Sequence, residues 1–175
     1  DIRKEQLKIL QLNIGYMCNQ TCSHCHVDAG PSRKEMMSKE VLNMCLDLMV
    51  KNKIKTVDIT GGAPEMHPNF RWFVEKIRKK TKVDEIIVRS NLTIILANKK
   101  FFDLPKFFSD NRIHIISSLP FYNKEKTDNQ RGKGVFDKSI MALKKLNTVG
   151  YGKAKSNLKL DLVYNPSGAF LPPDQ

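Results

Sequence analysis

Five short runs of β-forming residues recur along this chain, separated by segments whose apolar residues fall at helical spacing. That alternation restricts the fold more than any other feature. The runs are "ILQLNI" (9–14), "TVDIT" (56–60), "EIIVRS" (85–90), "IHIISS" (113–118) and "LKLDLVY" (158–164). Between the first two, Ser38 suits the cap of a helix with the stripe Val41, Leu42, Cys45, Leu48 and Met49. Pro68 suits the first turn of a helix burying Phe70, Phe73, Val74 and Ile77. Residues 98–108 read as a helix with a break or kink at Pro105. Phe136, Ile140, Leu143 and Leu146 mark a further helix, stopped by Gly150. Strands alternating with helices demand a parallel sheet, and right-handed crossovers put the helices outside if that sheet curls. The expectation is an α/β fold: a partial (βα) barrel with about five parallel strands. Chemistry in such folds gathers at the C-terminal strand ends. There the sequence places a cysteine loop, Gly61-Gly62, Asn91, Ser117-Ser118 and Asn165.

At 175 residues and 41% hydrophobic, the chain has the size and composition of one folded domain. No apolar run reaches the length of a bilayer span, and "DIRKEQLKIL" lacks the apolar segment of a signal peptide. The expected compartment is a reducing cytoplasm, where clustered cysteines bind metal more often than they pair. The net charge is +12, from 30 Lys+Arg against 18 Asp+Glu. Most of that charge is lysine scattered over helix faces, and arginine, the better phosphate fork, is scarce; a nucleic-acid partner is not expected. The chain begins without Met and ends in "NPSGAFLPPDQ", so 1–165 is expected to be a core lacking its sixth unit and 166–175 a linker toward absent sequence.

The loop after the first strand carries Cys18, Cys22 and Cys25 as C-x₃-C-x₂-C, three of the chain's four cysteines. Thiolates suit zinc or an iron–sulfur cluster. A zinc site would need His24 or His26 as fourth ligand, but structural zinc sites usually come as two separated ligand pairs, and no second pair exists. Cys45 sits on an apolar helix face and reads as a small core residue. The other reading is a [4Fe–4S] cluster held by three thiolates, with the fourth iron open.

The segment Cys18-Asn19-Gln20-Thr21-Cys22-Ser23-His24-Cys25 resembles the signature of the radical SAM superfamily, at the place where that family has it. The resemblance implies that the open iron binds S-adenosylmethionine (SAM), that one electron cleaves the sulfonium to give a 5′-deoxyadenosyl radical, and that a flavodoxin or ferredoxin supplies the electron. It implies SAM-contacting roles for Gly61-Gly62-Ala63-Pro64, which departs from the usual third acidic residue, and for His24 beside adenine. It extends such roles to Ser117 and Ser118, to Arg131 beside a carboxylate, and to Asn91 and Asn165 lining the site. "GYMCNQTC", "HCHV", "AGP", "DITGGAPEMHPNFRWFV", "RSNLTIIL", "SSLPFYNKEKTDNQRGKGVFDKSI" and "LVYNPSGAFLPP" together resemble the arsenosugar-biosynthesis radical SAM proteins, the radical SAM/Cys-rich family. That narrower resemblance implies transfer of the 5′-deoxyadenosyl group to a small trivalent dimethylated arsenic substrate. It also implies a further C-terminal domain rich in cysteine. Ser90 stands where many members have cysteine. A radical SAM enzyme acting on a peptide or RNA, or a zinc-binding nucleic-acid module using Cys18, Cys22, Cys25 and His26, are the competing readings.

Overall fold

The computed structural model describes residues 6–23 and 25–165. His24 and the expected linker at 166–175 lie outside the described residues. The strands are β1 (Ile9–Asn13), β2 (Thr56–Thr60), β3 (Glu85–Ser90), β4 (Ile113–Ser118) and β5 (Leu160–Val163). They form one five-stranded sheet in the order β1-β2-β3-β4-β5, every pairing parallel. The helices are α1 (Lys39–Lys51), α2 (Phe70–Lys80), α3 (Leu104–Asp110), α4 (Lys124–Arg131) and α5 (Val135–Thr148). This is the partial (βα) barrel that the alternation predicts.

Period-2 alternation gives the sheet two chemically different faces. Val57, Ile59, Ile86, Val88, Ile113 and Ile115 are wholly buried and pack with Leu42, Phe73, Ile77, Phe108 and Leu146. The other face carries Gln11, Asp58, Arg89, His114 and Asp161, joined across strands by polar contacts. Gln11 donates to Asp58 at 2.7 Å, and His114 bridges Glu85 at 3.1 Å and Asp161 at 2.7 Å. The apolar face holds the fold together; the polar face is left for chemistry.

α2 buries the four residues its spacing predicts, although its first residue is Phe70, two past Pro68. α1 is capped by the Ser38 side chain as expected, but turns a different face inward: Leu42, Leu46 and Met49 are buried. Val41 and Leu48 are 41% and 39% exposed, while Cys45 is half-buried against the core. The predicted stripe straddled the helix edge, because a chain with this many aliphatic residues offers more than one plausible face. Pro105 does not kink a helix. It occupies the first turn of α3, after a separate 3-10 turn at Lys99–Phe101, because the missing N–H costs nothing there. α5 buries Val135, Ser139, Ala142 and Leu146, with Phe136, Ile140 and Leu143 only half-buried. α4 was not legible as a helix, since its sequence "KEKTDNQR" has no apolar stripe. Asn123 caps it by accepting from the Lys126 N–H at 3.1 Å, and its Asp128 in turn accepts from Gly134 and Phe136 N–H at the start of α5. Among the described residues no helix is long and apolar enough to cross a membrane.

The inward face of α1 can be tested directly. Leu46→Ala should lower stability by about 2–5 kcal/mol through lost burial and a residual cavity, while Val41→Ala should change it by less than about 1 kcal/mol. Urea unfolding measures both; comparable losses at the two positions would put the wrong face inside.

Candidate active site

The site is built where β1 ends. Beyond Asn13 the chain does not turn at once into α1. It lies across the end of β2 and is pinned there by backbone hydrogen bonds. Gly62 N–H donates to the Gly15 carbonyl at 2.9 Å, and Ala63 N–H to that of Met17 at 2.8 Å. Across the loop itself, Cys18 N–H donates to Gly30 at 3.1 Å and Gly30 N–H to Tyr16 at 3.1 Å. The glycine pair is required by this docking. A Cβ on Gly62 would stand 2.4 Å from the Met17 carbonyl oxygen, and one on Gly61, whose φ is +147°, 2.3 Å from that of Gly15. The resemblance implies that these glycines contact SAM; the close approach that the structure shows is between two segments of backbone.

Each thiol has its own electrostatic setting. Asn91 donates its Nδ2 to Cys18 Sγ at 3.5 Å and to Asn19 Oδ1 at 2.7 Å. The strained turn behind it aims this amide, with buried Leu92 at φ +63° and the Asn91 Oδ1 accepting from Ile94 N–H. Cys25 Sγ accepts the Ala29 N–H at 3.3 Å. Burial pushes the Cys18 and Cys22 thiols up, and for Cys22 the Arg131 guanidinium pulls the other way. Thiolate is the form that ligates metal, so these donors stabilise the charge the loop must carry when loaded.

α4 closes the far side. Ser23 N–H and Oγ donate to the Gln130 carbonyl, and Gln130 Nε2 reaches the Asn165 carbonyl at 3.0 Å. Arg131, only 6% exposed, donates to the Ser118 carbonyl and, at 3.0 Å, to Gln20 Oε1. It is therefore no solvated loop charge: it ties the cysteine loop to β4, with Nε left without a protein acceptor.

These elements enclose a cavity of about 450 Å³. Cys18, Cys22, Cys25, Gly61, Gly62, Asn91, Ser118, Arg131 and Asn165 all line it. Ser117 is buried behind β4 rather than on the wall, and Ala63 and Pro64 border a separate small cleft instead. Sequence reasoning missed Gln20, Thr60, Arg89 and Ser90 among the lining residues. Arg89 had a signal: its alternation along β3 aims it at the polar face.

The donor set suits an iron–sulfur cluster. Among the described residues no three His, Cys, Asp or Glu side chains converge on one ion position, as a single zinc would need. In a cluster each thiolate binds its own metal, and three thiols spread along one loop beside an open cavity fit that demand. Polar atoms buried at this end without a protein partner, Asn165 Oδ1, Gln20 Nε2 and Arg131 Nε, leave hydrogen-bonding capacity for a polar ligand.

The radical SAM superfamily model matches residues 12–162. The chain belongs to the radical SAM superfamily. It is 31% identical over 136 residues to the subtilosin biosynthesis protein AlbA of Bacillus subtilis, covering 77% of this chain and 29% of that one. It is 25% identical over 151 residues to the mycofactocin maturase MftC of Mycolicibacterium smegmatis, covering 83% of this chain and 36% of that one. The chain thus spans roughly a third of the length of these curated relatives. Its fold superposes with a TM-score of 0.69 on anSMEcpe with bound AdoMet, at 18% identity and covering 89% of this chain and 42% of that one. Radical SAM proteins use a [4Fe–4S] cluster and SAM. When bound, these supply reductive cleavage of a carbon–sulfur bond and the carbon-radical chemistry that follows. In this chain Cys18, Cys22 and Cys25 would present the thiolates, with Asn91 and Arg131 held against the loop that carries them.

One more buried group bears on the loop. Glu65, in the turn Pro64–Met66, is 5% exposed, and neither carboxyl oxygen has a hydrogen-bond partner within geometric limits, although nearby Ser90 favours the charged form. Burial pushes the Glu65 carboxyl up to about 7.

Two results should follow. Gly62→Ala should displace the cysteine loop from β2, giving substoichiometric iron and sulfide after anaerobic reconstitution and a stability loss of about 1–3 kcal/mol; full iron loading with an unchanged unfolding curve would contradict the docking. The second concerns pH. Folded Glu65 keeps a proton that the unfolded chain releases near 4.5, so stability falls as pH rises from 4.5 to about 7 and levels off above it. Glu65→Gln should flatten that decline, by at most about 3 kcal/mol, in unfolding curves measured across the window.

Proposed function

We propose that this chain is the core of an enzyme that reductively cleaves SAM and passes the 5′-deoxyadenosyl group to a small trivalent dimethylated arsenic compound. Cys18, Cys22 and Cys25 hold the cluster. SAM lies against Gly61 and Gly62, with Asn91, Ser118, Arg131 and Asn165 completing its surroundings; the resemblance adds His24 beside adenine. A flavodoxin or ferredoxin gives the electron, in a reducing cytoplasm.

One observation carries the reading. The segments that resemble the arsenosugar-biosynthesis proteins are dispersed in sequence, yet they supply the walls of one cavity: the cysteine loop, Gly61-Gly62, Arg89-Ser90-Asn91, Ser118, Arg131 and Asn165. At about 450 Å³ that cavity is in the range of small-molecule sites, roughly 300–1,000 Å³. The chemistry is coherent, because trivalent arsenic has a lone pair and can trap a carbon radical. A second reading, action on a peptide, is favoured by the likeness to AlbA and MftC, whose names place them in bacteriocin biosynthesis and mycofactocin maturation.

The test uses reconstituted, reduced protein and SAM labelled in its ribose carbons. With trivalent dimethylated arsenic the label should enter an arsenic compound, detected by mass spectrometry, while 5′-deoxyadenosine falls. Cys18→Ala, Cys22→Ala or Cys25→Ala should abolish both iron binding and product, and Cys45→Ala should preserve both. Label found only in 5′-deoxyadenosine, with a peptide modified instead, would replace the arsenic reading by the second one. Iron retained without the three loop cysteines would overturn the site itself.

A further inference from the structure

We propose that Arg89 binds an oxyanion, a carboxylate or phosphate group, on the molecule that shares the cavity with SAM, and that Asp58 and Gln11 position it; this rests on the radical SAM reading of the site. The three residues come from β3, β2 and β1 and meet on the polar face of the sheet. Gln11 and Asp58 are partners in the β1–β2 register. Asp58, with its side chain 8% exposed, accepts from Gln11 Nε2 at 2.7 Å. It also holds Arg89 along one edge of the guanidinium: Nε lies 3.0 and 3.1 Å from the two carboxylate oxygens, and Nη2 lies 2.8 Å from Oδ2. A guanidinium has five N–H donors. Asp58 takes those on Nε and one on Nη2, and no hydrogen bond of Nη1 is found among the described residues. The Arg89 side chain is 45% exposed and lines the same cavity as the three cysteines.

A cross-strand ion pair needed only for stability gains little by this arrangement. An exposed pair is worth on the order of 1 kcal/mol or less, and burying a carboxylate costs more than an aliphatic of the same size. The arrangement does fix the guanidinium's orientation while leaving donors toward the cavity, which is what bidentate recognition of an oxyanion requires. Its place in the strand separates it from the loop residues assigned to SAM. Arg89 lies one residue before Ser90 and two before Asn91, in register with Ile116, which also lines the cavity. An acceptor with an apolar part against Ile116 and Val163 and an anionic end on Arg89 fits this floor. A dimethylated arsenic bound to the sulfur of a carboxylate-bearing thiol has that character.

Two measurements test it. In protein labelled with ¹⁵N-arginine, without cluster or SAM, succinate and inorganic phosphate should shift the Arg89 Nε–Hε resonance saturably. The resonance is assigned by its loss in Arg89→Lys, and Asp58→Asn should broaden it and weaken the response. Circular dichroism and unfolding curves establish that each variant is folded. In reconstituted protein, Arg89→Gln should raise KM for the dimethylarsenic–glutathione adduct by about 10- to 100-fold, the loss expected of charge-assisted hydrogen bonds, with Arg89→Lys in between. The dissociation constant for SAM, by equilibrium dialysis, should move less than the acceptor's KM. No anion response in the folded wild type overturns the proposal, and so does competition between SAM and the anions, which would give Arg89 to the SAM carboxylate. If wild type makes no arsenic product but the anion response appears and survives saturating SAM, the arsenic reading fails and the oxyanion role stands.

Discussion

The backbone contact between Gly61-Gly62-Ala63 and the segment Gly15–Met17 is the constraint on which the site depends. Three adjacent strands could form a parallel sheet without it, but the cysteine loop would then have no fixed height above the strand ends. The two hydrogen bonds, at 2.9 and 2.8 Å, are ordinary in strength; what makes them possible is the absence of two Cβ atoms. Glycine costs backbone entropy, and here that cost brings two main chains to a distance no other residue permits. Further bonds, among them those from Cys18 to Gly30 and from Met37 to Ile14, close the loop on itself and hand the chain to α1.

With the loop docked from one side, α4 and the Asn91 turn hold it from the other. These supports are polar, because any apolar clamp on the cavity side would exclude the ligands the loop must meet. Each is matched to a sulfur or to the loop backbone: Asn91 to Cys18, the Ala29 N–H to Cys25, and Arg131 beside Cys22 and bonded to Gln20. Burial raises the Cys18 and Cys22 thiols, and Asn91 and Arg131 respectively oppose it. A loaded site places charge on the same atoms, so the polar supports do most when the site is occupied.

How much of this was legible in the sequence follows from which forces left a pattern. The five strands and the helix at Phe70–Lys80 were legible because burial on one face imposes periodicity, and a short alternating run of aliphatic residues leaves few alternatives. The inward face of α1 was misjudged because Val41, Leu42, Leu46, Leu48 and Met49 spread over about 160° of the helix circumference, and only packing against the sheet chooses among them. α4 left no pattern at all, since its contacts are capping and backbone bonds made by polar residues. The three cysteines were legible from spacing alone. The reason for Gly62 was not, because a glycine required by the approach of residue 17 looks the same as one required by a ligand. Arg131 and Arg89 carry roles decided by partners far away in sequence, which no local window contains.

The two faces of the sheet suggest why cofactor and substrate functions separate as they do. Loops beyond the strand ends can be reshaped without disturbing the core, and there the cysteines and the glycine turn sit. Side chains inside the strands are fixed by register: Asp58 stands opposite Gln11 because β1 and β2 pair as they do, and Arg89 reaches Asp58 from the next strand. A group held this way keeps its direction whether or not a ligand is present. A radical generated at the rim needs an acceptor already held in line, and pre-ordered strand residues can hold one at lower entropic cost than a flexible loop. The polar floor thus gives the cavity a fixed reference against which the loop-borne cofactors are set, and the apolar face behind it supplies the rigidity that makes the reference hold.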